Sequence, residues 1–253
     1  MLRFLENMQF ALFVFFTAAY AYQIVYLFVG LIGKGRGGRE NAKLHRYAAV
    51  VAARNESAVI ANLIRTLKEQ NYPSELLDIY VIADNCTDNT AQISRKAGAY
   101  VYERFNKVQV GKGYALDELI SLIRMRRPLS DYDAFLVFDA DNIVDPHFVS
   151  AMDQTFAQGC DVLTSYRNSK NFASSWISAS YSIWFLREAR FLNYPRMKLH
   201  TNCAISGTGF LVSSKIIEEN GGWPYHLLTE DIEFSVDNAI HHNAIGYCPR
   251  AVL

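Results

Sequence analysis

What this sequence lacks narrows its function first. Neither sign of charge is in excess: 25 Lys and Arg stand against 25 Asp and Glu, for a formal net charge of zero. The electrostatic footprint of a nucleic-acid binder is therefore missing, and no nucleic-acid partner is expected. The four cysteines, Cys86, Cys160, Cys203 and Cys248, never form a C-x-x-C pair. That argues against a zinc framework or a disulfide scaffold and for free thiols in a reducing compartment. No G-x-G-x-x-G follows the first strand-like run, which argues against a dinucleotide dehydrogenase. Gly111-Lys112-Gly113 is not a P-loop, because the first glycine and the closing Ser/Thr are both missing. There is no Ser-His-Asp or Cys-His relay, and His241-His242 fall late in a predicted helix, where cations sit favourably at a surface. No internal repeat is present.

One stretch lacks charge altogether. Met8 to Gly33 contains no Asp, Glu, Lys or Arg, and its clearly polar side chains are Gln9, Thr17 and Gln23. A helix of roughly 20 apolar residues crosses a bilayer. A cleaved signal would have an apolar region of only about 7–15 residues; Ala19-Tyr20-Ala21 could pass for its cleavage site, but the apolar run continues through Ile32. Residues 1–33 are thus expected to be a transmembrane helix with a short flank. Lys34, Arg36, Arg39, Lys43 and Arg46 follow it, against Arg3 and Glu6 before it. The positive-inside rule then places the remainder on the cytosolic side of the cell membrane. Residues 34–46 form a basic, Gly-rich linker, and residues 47–253 are left as one α/β domain.

Within that domain, apolar runs with the length and residue types of buried strands alternate with segments of helical spacing. Strands are predicted at Tyr47–Ala52, Leu77–Ala83, Ala99–Glu103, Ala134–Phe138 and Asp161–Tyr166. Helices are predicted over 56–70, from Thr87 or Asp88 to about Lys96, from Gly111 to about Met125, and from Pro146 to about Gln158. This alternation predicts a mainly parallel sheet with helices on both faces. Ala173–Tyr194 is rich in Trp, Phe and Tyr and reads as an ordinary amphipathic helix, a membrane-surface helix or an acceptor wall. Ile205–Ser213 reads as a glycine-interrupted strand, 229–242 as a helix capped by Thr229, and Ala244–Cys248 as a last strand.

Polar clusters fall at the ends of successive strands: Arg54 to Glu56, Asp84, and Asp139-Ala140-Asp141. In a parallel sheet these ends share one edge, where ligands bind. Carboxylates there can hold a hard divalent cation, which commonly comes with a substrate's phosphates. The other D-x-D, Asp131-Tyr132-Asp133, precedes its strand and reads as a solvated turn. Lys112 is a solvated residue at a helix start or a point charge for a phosphate. Glu230-Asp231 is a helix N-terminus or, functionally, a general base.

Together, Ala52-Ala-Arg-Asn-Glu56, Ile82-Ala-Asp-Asn-Cys-Thr-Asp88, Gly111-Lys-Gly-Tyr-Ala115, Phe138-Asp-Ala-Asp141, Gly207-Thr-Gly209 and Thr229-Glu-Asp231 resemble the membrane-bound family 2 glycosyltransferases with a GT-A fold, the group of cellulose, hyaluronan and poly-N-acetylglucosamine synthases. The resemblance implies inverting transfer of a sugar from a nucleoside-diphosphate donor, UDP-linked, to the hydroxyl of a saccharide or lipid-linked acceptor. It implies that Arg54, Glu56, Asp84, Lys112 and Asp139 bind the donor, and that Asp141 binds a divalent metal, Mg²⁺ or Mn²⁺. It also implies that Asp231, with Glu230 beside it, is the catalytic base, and that Gly207, Thr208 and Gly209 lie on the acceptor side. One departure is that Ala83, not a second acid, precedes Asp84. Processive members carry Q-x-x-R-W and further apolar spans beyond this region, so the chain is expected to be truncated at its C-terminus. Two other readings remain: a non-catalytic membrane-anchored nucleotide-sugar-binding module, and a nucleotidyltransferase, which should carry a Gly-rich basic loop where this chain has A-A-R-N-E.

Overall fold

Strands buried on both faces build the centre of the fold, in a computed structural model that describes residues 2–32, 43–169 and 171–253. Most of the expected 34–46 linker, with Lys34, Arg36 and Arg39, lies outside the described residues. The chain begins with α1 (Leu2–Tyr20) and α2 (Tyr22–Ile32). Between them Arg3–Ile32 is a run of 30 residues, long and apolar enough to cross a membrane. Then come β1 (Tyr47–Ala53), α3 (Ile60–Lys68), β2 (Leu77–Asp84), α4 (Thr90–Ala97), β3 (Tyr100–Arg104), α5 (Lys112–Arg126), β4 (Ala134–Asp139), α6 (Phe148–Phe156) and β5 (Val162–Tyr166). The second half adds α7 (Trp176–Glu188), a π-turn over Ala189–Asn193, α8 (Tyr194–Lys198), β6 (Phe210–Ser213), α9 (Ser214–Glu219), α10 (Glu230–Ile240) and β7 (Ile245–Val252).

The seven strands form one sheet in the order β3-β2-β1-β4-β6-β5-β7. Only β6 runs antiparallel to its neighbours, β4 and β5. Successive residues of β1 face opposite sides: Ala48 and Val50 join Leu116, Leu119, Phe210 and Phe234 in one buried layer, while Tyr47, Ala49 and Val51 join Leu63, Ile64, Phe148 and Met152 in the other. Helices therefore cover both faces, as the alternation predicts. The parallel registers of β1 with β2 and β4 bring residues 53, 84 and 139 to one edge.

Several boundaries differ from the sequence expectation for local reasons. α3 starts at Ile60 rather than Glu56, because Asn55 takes a left-handed φ of 57° and the Glu56 amide donates to Thr90 Oγ1 at 2.8 Å instead of opening a helix. β6 starts at Phe210 rather than Ile205, because Gly207 and Gly209 have φ of 68° and 65°, which no strand tolerates. α9 was not foreseen; it follows β6 directly, with Ser213 as its side-chain cap. β7 continues past Cys248 to Val252.

Candidate active site

The site is built where β1, β2 and β4 end. Asp139 closes β4, and its loop is pinned from two sides. The Asp139 amide donates to Thr208 Oγ1 at 2.8 Å and to Asn142 Oδ1 at 3.0 Å, and the Thr208 hydroxyl donates to Asn142 Oδ1. The predicted acceptor-side residue Thr208 is thus buried and positions the acidic loop, while the left-handed Gly207 turns its carbonyl toward Lys112. Lys112 Nζ, at the start of α5, donates to Asp139 Oδ1 at 2.6 Å and to the Gly207 carbonyl, and lies 3.6 Å from Glu230 Oε1. One ammonium therefore connects the end of β4, the glycine turn and the start of α10. Asp231 sits beside that turn: a Cβ placed on Gly207 would lie 3.8 Å from Asp231 Oδ2. Gly113 serves packing rather than an open phosphate cradle, since a Cβ there would strike the Tyr225 carbonyl.

Arg54 is exposed at the end of β1. Glu56 holds its proton more tightly than an ordinary glutamate, first through burial and then through the charges of Asp141, Asp139 and Asp88. Burial likewise raises Glu230, with Lys112 opposing and Asp231 and Asp139 adding to the shift. The charges of Asp141 and Asp139 reach Glu56, an excess of negative charge at this edge that a cation would relieve. Among the described residues no group of three His, Cys, Asp or Glu side chains is placed to hold a metal ion. The arrangement fits a cation that takes its remaining ligands from phosphate oxygens and water.

Asp84 is placed differently from a freely presented carboxylate. It is buried, and its Oδ1 accepts from Arg104 Nη1 at 2.7 Å and from Asn85 Nδ2 at 3.0 Å. Arg104 Nε also reaches Glu118 Oε2 at 2.6 Å. Sequence reasoning missed Arg104, although it ends β3 directly opposite Asp84 in the register. It missed Arg167 as well, which follows β5 at the same edge and donates to Glu188 Oε2 at 3.0 Å. The rule that strand ends carry the site would have found both. A cavity of about 650 Å³ opens beside the acidic loop, lined by Asp139, Asp141, Asn142, Arg167, Tyr181 and Phe185 among others. Lys112, Glu230 and Asp231 are not among its lining residues; they flank it across Asp139 and Thr208.

A mainly parallel sheet under two helical layers, with carboxylates and a lysine gathered at its carboxyl edge, defines a GT-A domain, the Rossmann-like fold of nucleotide-sugar transferases. The chain belongs to glycosyltransferase family 2: the profile described as "Glycosyltransferase like family 2" matches residues 45–253. A β-monoglucosyldiacylglycerol synthase of Nostoc sp. is 29% identical over 198 residues, covering 74% of this chain and 39% of that protein. The chain thus spans well under half the length of that curated relative. In structure it is similar to a mannosyltransferase from Pyrobaculum calidifontis in complex with GDP-Man and Mn²⁺, with a TM-score of 0.68 and 16% identity over 95% of this chain and 66% of that one. It is also similar to glucosyl-3-phosphoglycerate synthase from Mycobacterium tuberculosis bound to UDP, with a TM-score of 0.57 and 19% identity over 85% of this chain and 75% of that one.

Proposed function

We propose that residues 47–253 are the catalytic domain of an inverting, metal-dependent glycosyltransferase, anchored by residues 1–33. The domain transfers a sugar from a nucleoside-diphosphate donor, UDP-linked, to a hydroxyl of a saccharide or lipid-linked acceptor. The observation that carries this reading is the Lys112 ammonium, 2.6 Å from Asp139 and 3.6 Å from Glu230. It joins the donor-side acids to the acidic start of α10 within the reach of one side chain.

In this reading Asp139 orients the donor sugar, and Lys112 offers positive charge to the diphosphate once its contact with Asp139 loosens. Arg54 and Glu56 flank the nucleotide, and the Asp84–Arg104 pair shapes the floor beneath its base. Asp141 would hold a divalent cation, Mg²⁺ or Mn²⁺, which would neutralise charge on the leaving diphosphate. Asp231, beside the Gly207 turn, takes the proton of the attacking hydroxyl, and Glu230 keeps the local field negative. In-line attack on the face opposite the leaving group inverts the anomeric centre. Names among the relatives and neighbours support this: a glucosyldiacylglycerol synthase for the acceptor class, and complexes with GDP-Man and UDP for the donor class. Lys43 and Arg46 after the apolar run, against Arg3 and Glu6 at its other end, favour a cytosolic domain on the cell membrane.

Isothermal titration of UDP and UDP-sugars with Mn²⁺, followed by a sugar-release assay, tests the assignment. Asp141→Ala should abolish cation-dependent donor binding, whereas Asp231→Asn should keep binding and lose transfer. Full transfer by the Asp231→Asn protein would sink the base assignment.

A further inference from the structure

The acidic loop is held from behind by a side chain that the catalytic reading leaves out. Gln70 stands just past the end of α3 and is buried. Its Nε2 donates to the Asp145 carbonyl at 2.8 Å and to the Thr66 carbonyl at 3.0 Å, while its Oε1 accepts the Val149 amide at 3.0 Å. The amide can point only one way, since the reverse would set its oxygen against two carbonyls. Burying an amide is unfavourable unless such bonds are made, so packing alone would be served by an apolar side chain. Neighbouring residues of α3 grip the same segment. Thr66 Oγ1 accepts the Val144 amide at 3.3 Å and donates to the Leu63 carbonyl at 2.9 Å. The Asn71 amide donates to the Pro146 carbonyl at 2.8 Å.

The segment so gripped is the far end of the loop that carries Asp141. Val144, Asp145 and Pro146 line the same cavity as Asp139 and Asp141. From the other side the Asp145 amide donates to the Val252 carbonyl at 3.0 Å, at the end of β7. The loop is thus fixed at its start by Thr208 and Asn142, which hold the Asp139 amide, and at its end by α3 and β7. Asp141 is exposed between these two fixed points. The other end of α3 leads to the donor side: the Glu56 carbonyl accepts the amides of Val59 and Ile60 at 3.1 and 3.0 Å. Between its ends α3 buries Ile60, Leu63, Ile64 and Leu67 in the layer that also holds Ala140 and Val144 of the acidic loop. One short helix therefore joins Glu56 to the loop that carries Asp141.

We propose that Gln70 and Thr66 are positioning residues: α3 is a spacer that sets the acidic loop against Glu56, and these two side chains hold the loop so that Asp141 presents its carboxylate to a divalent cation. The proposal rests on the reading that Asp141 holds that cation. Groups that orient a metal ligand without touching the metal change its affinity about 10–100-fold when removed. A residue that only satisfies buried main chain would change stability and leave the cation affinity of the folded protein alone.

Mn²⁺ binding to the full chain at saturating UDP, followed by electron paramagnetic resonance well below the melting midpoint, tests it. Gln70→Met keeps the length of the side chain and removes its amide. It should raise the Mn²⁺ dissociation constant about 10–100-fold, and sugar release lost at low Mn²⁺ should return as Mn²⁺ is raised. Thr66→Val should act in the same direction and Thr66→Ser, which keeps the hydroxyl, should bind as the wild type does; this pair carries the test if Gln70→Met does not fold. Ile217→Ala, in α9 and in the opposite buried layer, is the stability control and should lower the midpoint without changing Mn²⁺ affinity. Wild-type Mn²⁺ affinity in Gln70→Met, or in Thr66→Val where Gln70→Met does not fold, would leave these residues a structural role only and overturn the proposal. Equal weakening by Ile217→Ala would trace the loss to general softening and overturn it too. A wild-type protein that binds UDP but no Mn²⁺ refutes the assignment of Asp141 beneath the proposal, and the proposal with it.

Discussion

Arg104 is 2% exposed and bonds two carboxylates, at 2.7 Å to Asp84 and 2.6 Å to Glu118. Glu118 faces solvent on one side, but Asp84 does not. Removing the guanidinium would leave the Asp84 charge buried without its partner, which costs about 3–5 kcal/mol. Arg104→Met should therefore lower the unfolding midpoint by roughly 10 °C in a chain of this size. A midpoint near that of the wild type would mean that water replaces Arg104. Glu56 makes the opposite case, because its charged form is the strained one. Its folded pKa lies above the unfolded value, as does that of Glu230. The stability these groups contribute is fully present below the ordinary glutamate pKa, about 4.3, and is lost as pH rises through the raised folded values. Glu56→Gln should thus raise the melting midpoint of the ligand-free protein at pH 7, with the gain shrinking toward pH 4. Melts of both proteins across that range check the sign; a lower midpoint for the variant at pH 7 contradicts charge crowding at the acidic loop.

At the scale of elements, α5 shows how packing holds chemistry in place. Gly113 presses against the Tyr225 carbonyl, and the next residue toward the N-terminus is Lys112. A backbone carbonyl cannot move aside as a side-chain tip can, so Gly113→Ala should cost about 1–3 kcal/mol. The variant should also bind donor more weakly, because the start of α5 must shift and carry Lys112 with it. Thermal melts and a UDP titration measure the two effects separately; unchanged donor affinity would uncouple Lys112 from this contact. The strands that carry Asp84 and Asp139 were legible because fully buried strands read as continuous apolar runs, and the polar residues that end them need another explanation. The start of β6 was not, because Gly207 and Gly209 look like a bulge in a strand until their left-handed backbone is seen. α9 was missed because six residues directly after a strand show too little helical period. Arg104 and Arg167 stand at the ends of predicted strands, but the partners they would meet were not legible. The pairing of Arg104 with Asp84 depends on which strands are neighbours, and strand order is a long-range property that local pattern does not encode. The meeting of Lys112 with Glu230 belongs to the same class, since residues 112 and 230 meet only once α5 and α10 are packed against the sheet.

For the whole molecule, the apolar segment and the transferase domain are separable in one respect: the family match begins at residue 45, after the candidate span ends at Ile32. Ligand-linked stability should therefore reside in the sheet and its helices. Trp223 is placed to report it, stacked 5.9 Å from Phe210 of β6 and tilted at 4.9 Å from Phe234 of α10, the helix that carries the candidate base. A ligand that binds only the folded state stabilises it by RT ln(1 + [L]/Kd), about 2.7 kcal/mol at a hundredfold excess over Kd. In a chain of this length that corresponds to a rise of roughly 5–10 °C. UDP and Mn²⁺ together should produce this rise in Trp223-detected melts, and each alone should give much less. The reason is that Glu56, Asp139 and Asp141 repel a diphosphate unless a cation lies between them, and hold a cation poorly without phosphate oxygens to complete its ligands. Chelation with EDTA should cancel the UDP-dependent part. Asp141→Ala should remove the synergy, whereas Asp231→Asn, altered on the acceptor side, should retain it in full. A UDP shift of equal size with EDTA present would separate donor binding from a cation at the acidic loop and overturn the metal assignment of Asp141.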